Sequence, residues 1–330
     1  MSGLVEKIKD GYHFMLHELP SPVTKDWFLV GRPYQIISIL VVYLIFSTRL
    51  GPWYMRNKKS YDLKTVIKYY NLFQILACLY LFYQGMDYLL AKEFSILCQA
   101  VDDPKSQRAY NIASAAWYYF IIKVIDLLDT VFFVLRKSDR QITSLHLHHH
   151  TLMPIASWIG MTYFPGGQAA LMATLNSLVH AVMYTYYYLA GLGDNYKKYL
   201  WWKRHVTEMQ LIQFVIVGLH ALNSLFYECG YPTWIKIGMI MYAGIFINMF
   251  GQFYYNCYIV KKHQKTEKVT NGTEKISKEN HENGGEANGK SNGFKNEKAS
   301  NGETVTSVYK NGKDAQAKIS NGLSSHLKTH

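Results

Sequence analysis

The chain has 330 residues, is 49% hydrophobic and 15% aromatic, and carries Lys+Arg 35 against Asp+Glu 23 for a formal net charge of +12. A basic excess can signal nucleic acid, but here Lys and Arg sit in short loops between apolar stretches, the distribution of a positive-inside membrane protein, and nucleic-acid binding is set aside on that ground. The mean hydropathy of −0.08 averages two unlike parts, residues 33–260, dense in apolar segments, and residues 261–330, almost wholly polar.

Residues 1–32 hold Glu6, Lys7, Lys9, Asp10, Glu18, Lys25 and Asp26, with no apolar run of signal-peptide length, so the first membrane segment is expected to direct its own insertion. Apolar stretches then recur at about 33–50, 65–91, 110–135, 147–163, 167–189, 207–227 and 233–260. Most reach the roughly 20 residues that a helix needs to cross the hydrocarbon core. Pro33 and the Phe164-Pro165-Gly166-Gly167 turn punctuate them. The expected fold is therefore all-α, a polytopic membrane protein with seven transmembrane helices over 33–260, preceded by a segment 1–32 and followed by a tail 261–330.

Loop charge orients the spans. Arg56, Lys58 and Lys59, then Arg136, Lys137 and Arg140, then Lys197, Lys198, Lys203 and Arg204, then Lys261 and Lys262 occupy one set of loops. The alternate set holds Lys92, Lys105 and Arg108 in one loop and no basic residue in 164–168 or 228–233. The basic set is read as cytosolic, which puts the N-terminus in the lumen and the C-terminus in the cytosol. Cys98 and Cys229 fall in lumenal loops, where a disulfide can form; a Cys98–Cys229 bridge and two free thiols both remain open, because spacing does not fix connectivity. The tail, with its seven Asn-Gly pairs among Lys, Glu and Ser, is expected to be disordered. Its sequon Asn271-Gly272-Thr273 would stay unmodified in the cytosol. The ending Leu327-Lys328-Thr329-His330 holds one of the two lysines of a retrieval signal for the endoplasmic reticulum.

Ionisable residues inside membrane helices cost about 2.5–3.5 kcal/mol each at mid-bilayer and are functional by default. The third stretch carries Lys123-Val-Ile-Asp126-Leu-Leu-Asp129-Thr130, with 123, 126 and 130 on one helical face; Lys123 can pair with Asp126, as a packing lock or as part of a site. The fourth opens on His146-Leu-His148-His149-His150, which puts His146, His149 and His150 on one face. The fifth bears a stripe of Asn176, His180, Met183, Tyr184 and Tyr187, and the sixth begins with Thr207, Gln210 and Gln213, which interhelical hydrogen bonding alone could also explain. His180 lies roughly 15 Å below the cytosolic end of its helix at 1.5 Å per residue. These depths describe one polar cavity open to the cytosol, with Lys203, Arg204 and Thr207 at a rim suited to a phosphorylated ligand.

A membrane di-iron oxidase needs about eight histidines over several boxes. One box plus His180 is too few, and nothing assigns the water or base of a zinc site. No metal is expected. Neutral imidazole, in contrast, can attack a thioester and hold an acyl group, while a second imidazole moves the proton. Neither Cys78 nor Cys257 belongs to the polar faces, so no cysteine is placed as the nucleophile.

Lys123-x-x-Asp126-x-x-Asp129-Thr130, His146-x-x-His149-His150, Asn176-x-x-x-His180-x-x-Met183-Tyr184-x-Tyr186-Tyr187 and Thr207-x-x-Gln210-x-x-Gln213, in that order, resemble the motifs of the fatty-acid elongase (ELO) family over about residues 25–262. The family usually has Glu where this chain has Asp126, and an aromatic or aliphatic residue where it has His148. The resemblance implies seven membrane helices, six of them around a narrow acyl tunnel, in the endoplasmic reticulum. It implies condensation of a long-chain acyl-CoA with malonyl-CoA to give 3-oxoacyl-CoA, CO2 and CoA, the first step of very-long-chain fatty acid elongation, with no cofactor beyond the co-substrate. His149 would take the acyl group, with His146, His150 and His180 positioning groups and managing protons. Lys123, Asp126, Asp129, Asn176, Tyr184, Tyr187 and Gln210 would line the substrate site, and Arg136, Lys203, Arg204 and Thr207 would lie near CoA. The implied partners are a 3-ketoacyl-CoA reductase, a 3-hydroxyacyl-CoA dehydratase and an enoyl-CoA reductase, with a homodimer allowed.

Overall fold

The structure, a computed structural model, describes residues 2–14 and 18–260. The expectations for the tail, its sequon and its ending lie outside the described residues.

Among the described residues every regular element is a helix. In chain order they are α1 (Ser2–His13), α2 (Pro33–Ile45), α3 (Gly51–Met55), α4 (Lys64–Leu90), α5 (Gln107–Ile125), α6 (Leu128–Leu135), α7 (Ser144–Tyr163), α8 (Ala170–Gly191), α9 (Asp194–Lys197), α10 (Lys203–Ser224) and α11 (Thr233–Tyr254). A wider turn over Phe46–Leu50 joins α2 to α3, and another over Tyr255–Val260 extends α11. Three of the resulting rods, Pro33–Met55, Lys64–Leu90 and Thr233–Val260, are long and apolar enough to cross a membrane, which makes the chain a multi-pass membrane protein. Their outward faces are bare hydrocarbon: Ile37, Val42, Leu76 and Met241 are all exposed, as lipid-facing side chains would be. α5, α7, α8 and α10 run 19 to 22 residues but carry the polar side chains of the interior.

The third expected span is not one helix. It stops at Ile125 and resumes at Leu128, with the Asp126 carbonyl accepting from the Asp129 N–H at 3.1 Å, a tightened turn in place of the usual four-residue step. Across this break the carboxylates of Asp126 and Asp129, three residues apart, both contact one partner on α8, the Tyr184 hydroxyl.

α4 packs along α8, α5 against α7, and α10 against α11. The α4–α8 approach needs Gly85, where an added Cβ would meet Thr174 Oγ1 at 2.1 Å. α7 turns into α8 through Gly166 and Gly167, at φ 85° and 57°, which L side chains rarely adopt. Residues 20–32 are bound to the helices: Trp117 Nε1 donates to the Phe28 carbonyl, Trp158 Nε1 to that of Leu29, and Thr24 Oγ1 to that of Met161.

At the end of the molecule where α4 finishes, Cys98 and Cys229 form a disulfide across a sequence separation of 131. Around it, Gln168 Oε1 accepts from the Gln99 N–H at 2.9 Å and Gln168 Nε2 contacts the His220 ring at 3.2 Å. The ammonium of Lys236, buried in α11, donates to the carbonyls of Ser224 and Tyr227 beyond the last turn of α10, a cation where the helix dipole favours one. Closing a loop as long as the one between Cys98 and Cys229 is worth about 5 kcal/mol by chain-entropy reasoning. A Cys98→Ser protein is expected to migrate differently from wild type on a non-reducing gel and identically after reduction; identical migration in both conditions would show that the thiols are free in the cell.

Candidate active site

The interior polar groups are assembled from four separate stretches of chain. Lys123, on the last turn of α5, is 2% exposed, and its ammonium lies 3.0 Å from Asp126 Oδ2 and 3.3 Å from His180 Nδ1 on α8. Asp126 is equally buried; its Oδ1 accepts from Gln74 Nε2 of α4 at 2.7 Å and faces the Tyr184 hydroxyl of α8 at 2.9 Å. A buried carboxylate with three such partners is compensated, whereas an unpaired one would be strongly destabilising. With Lys123 as an ammonium, His180 Nδ1 accepts and the neutral ring carries its hydrogen on Nε2.

α7 supplies the histidines because Thr143 caps its N-terminus, its Oγ1 accepting from the His146 N–H at 3.2 Å, so that the cluster occupies the first two turns. His146 Nε2 bonds Thr130 Oγ1 at 2.8 Å, and Thr130 in turn bonds the Tyr43 hydroxyl of α2 at 2.9 Å. The His146 and His150 rings lie 4.1 Å apart between centroids. His150 is buried, and its Nδ1 has no hydrogen-bond partner among the described residues. Pro154, inside the same helix, has no N–H to offer the His150 carbonyl, so the backbone is also opened there. His149 turns the other way, its ring 6.1 Å from that of His180 and near-parallel to it, and 5.3 Å from Phe246 of α11. His148 points out of the cluster, with Nδ1 2.7 Å from the Ser144 carbonyl.

His146, His149, His150, His180, Lys123, Asp126, Asp129 and Tyr184 thus meet in one place. Asn176 joins at the next turn inward on α8, where its Oδ1 accepts from the Tyr119 hydroxyl at 2.9 Å. The rim residues are not gathered with them. Arg136 and Lys203 are exposed. Arg204 is held by Glu208 Oε1 and the Tyr254 hydroxyl, each at 2.7 Å, and so braces α10 against α11. Tyr187 is 41% exposed and sits at the edge of the cluster, its ring against that of Tyr184. Thr207 is buried on α10, and Gln210 Nε2 contacts Met183 Sδ at 3.7 Å.

The sequence reading missed Gln74, Tyr43, Tyr119 and Tyr70 of α4, whose hydroxyl accepts from Gln74 Nε2 at 3.0 Å and lies 3.5 Å from that of Tyr184. Gln74 had a visible signal: with Asn71 it is an amide in the apolar α4 stretch and fully buried. The tyrosines had none, since the chain holds Tyr 27 and an interior hydroxyl reads like any interfacial ring.

Beyond the cluster lie two largely apolar cavities. One, a narrow crevice with about 250 Å³ of empty space partly open to the surroundings, is lined by Asn176, Gln213, Met153, Phe214 and Tyr242. A second, with about 630 Å³ of empty space partly open to the surroundings, lies between α4, α5, α7 and α8 against Gly85, Ala115, Ala116, Gly160, Ala170 and Ala173. Tyr119 and Met172 line both.

The sequence model of the ELO (GNS1/SUR4) family matches residues 28–266. This chain belongs to the ELO family. Very long chain fatty acid elongase 7 of Rattus norvegicus is 41% identical over 239 residues, covering 72% of this chain and 85% of that protein. Elongase 4 of Mus musculus is 40% identical over 248 residues, 75% and 79% of the two chains. A very long chain fatty acid elongase of Aedes aegypti is 34% identical over 264 residues, 80% and 74%. The ELO match begins at Phe28, within the segment that packs on α5 and α7, and ends just past the last described helix.

Proposed function

We propose that the protein condenses a long-chain acyl-CoA with malonyl-CoA, giving a 3-oxoacyl-CoA two carbons longer, CO2 and CoA, through an acyl-imidazole on His149. The observation that carries this reading is the cluster itself, in which His149 faces His180 while Lys123 lies 3.3 Å from His180 and 3.0 Å from a buried carboxylate. An imidazole has the nucleophilicity for a thioester without a cofactor, and a cation beside it stabilises negative charge arising on a thioester oxygen. The largely apolar lining of the cavities beyond Asn176 is consistent with an acyl chain, and very long chain fatty acid elongases are its relatives.

His149 attacks the acyl carbonyl and expels CoA. Malonyl-CoA then loses CO2, and its α-carbon takes the acyl group from the imidazole. His180, with its hydrogen on Nε2, faces that ring, and Asn176 lies one turn further in. In this reading seven helices span the membrane of the endoplasmic reticulum, with the N-terminus lumenal and the C-terminus cytosolic, and α4 to α11 enclose the acyl tunnel. The 3-oxo product then needs a reductase, a dehydratase and an enoyl reductase to become saturated.

The purified or microsomal protein, given an unlabelled long-chain acyl-CoA and malonyl-CoA labelled at the methylene carbon, is expected to place the label in an acyl chain longer by two carbons. Transfer of the acyl group to a lipid alcohol, or ligand binding without turnover, would leave that label in malonyl-CoA and would overturn the reading.

A further inference from the structure

Tyr184 is fully buried, and its hydroxyl lies 2.9 Å from Asp126 Oδ1 and 2.9 Å from Asp129 Oδ2. A phenol carries one hydrogen, and an ionised carboxylate carries none. Two ionised carboxylates therefore cannot both be bonded by this one hydroxyl; a further hydrogen has to lie in the trio. Asp126 already receives Lys123 and Gln74 and is the better place for negative charge. The arrangement that satisfies both 2.9 Å contacts has Asp129 donating to the Tyr184 oxygen and Tyr184 donating to Asp126, with the Tyr70 hydroxyl a longer neighbour of Tyr184 at 3.5 Å. The chain has a direction: Asp129 is half-buried on the side where α6 leads to exposed Arg136, whereas Asp126 is buried against Lys123 and His180.

We propose that Asp129, Tyr184 and Asp126 form a proton relay into the His180 side of the site, with Asp129 the entry acid and Tyr184 the obligatory link. This rests on the condensation reading, which has a use for it. The balanced reaction is acyl-CoA plus malonyl-CoA plus one proton giving 3-oxoacyl-CoA, CO2 and CoA, because the carboxylate leaves as neutral CO2. The first half consumes no proton: the hydrogen that His149 loses on acylation balances the one that departing CoA thiolate gains. The second half does. As the α-carbon takes the acyl group, the C–N bond to His149 breaks with its electron pair on nitrogen, and that imidazolide must be protonated. The relay supplies the hydrogen as Tyr184 passes its proton to Asp126 and recovers one from Asp129, and Asp126 passes the proton it has received on to His180 Nδ1, 3.7 Å away, as His180 gives up its Nε2 hydrogen toward the His149 ring that it faces. Asp129 is then refilled from outside.

Two variants separate a relay from a brace. Tyr184→Phe keeps the buried ring and removes the link. Asp129→Asn keeps a hydrogen-bond donor toward the Tyr184 oxygen but cannot release a proton. In each, rapid-quench measurement of CoA released without malonyl-CoA reads the first half, and single-turnover product formation on adding malonyl-CoA reads the second. The expected result is a first-half burst close to wild type, a second half slower by about 10–100-fold, and an acyl-enzyme that accumulates. If Asp129→Asn completes both halves at the wild-type rate, or if burst and second half fall by the same factor in protein that remains folded, the groups only brace the site and the relay is overturned. Should Tyr184→Phe not accumulate, Asp129→Asn decides alone. The condensation reading fails separately, in wild type, when malonyl carbons never enter the product.

Discussion

Replacing His149 by Ala is expected to remove the burst of CoA released from acyl-CoA alone and to lower elongation by about 10³-fold or more, the scale of losing a nucleophile. The four imidazoles are not equivalent. His146 Nε2 is committed to Thr130 and His180 Nδ1 to Lys123. His150 is buried with its ring 4.1 Å from His146. His149 is the more accessible of the remaining pair, its ring nitrogens make no hydrogen bond among the described residues, and it stands between His180 and Phe246, where polar cluster and apolar interior meet. His146→Ala and His150→Ala are expected to slow the burst without abolishing it. A burst of one CoA per site in His149→Ala would exclude this residue as the acyl carrier and move the choice to His150.

How far the site could be read from the sequence depended on the kind of residue. Lys123, Asp126, Asp129, His146, His149, His150 and His180 stand out because hydrocarbon penalises ionisable groups, and these seven lie in one cluster. The cationic rim did not follow from the same logic: in a basic loop Lys and Arg are ordinary, and the charge pattern gave no sign that Arg204 is engaged by Glu208 and Tyr254. The break at Asp126–Leu127 was also invisible, having neither Gly nor Pro to mark it. The Asp126 side chain at this break is held by Tyr184 and Gln74, which are distant in sequence. Helix existence followed from length and hydropathy, but among the described residues three rods are apolar enough to cross a membrane by composition, while α5, α7 and α8 carry the polar side chains of the site.

Lys123→Met is expected to lower turnover by about 100-fold or more and also to destabilise the protein, and a second substitution separates the two effects. Met fills nearly the same volume but leaves Asp126 without its cation, and breaking one side of a buried pair costs about 3–5 kcal/mol. Changing Asp126 to Asn as well removes the stranded charge, while the Asn amide oxygen still accepts from Gln74. The thermal midpoint in detergent should therefore fall in Lys123→Met and largely recover in Lys123→Met with Asp126→Asn, the signature of two coupled sites. Activity should not recover with it. The double variant still lacks the ammonium that fixes the His180 tautomer and that would face a thioester oxygen. Restored stability with restored turnover would reduce Lys123 and Asp126 to a packing lock and require the positive charge of the site to come from another group.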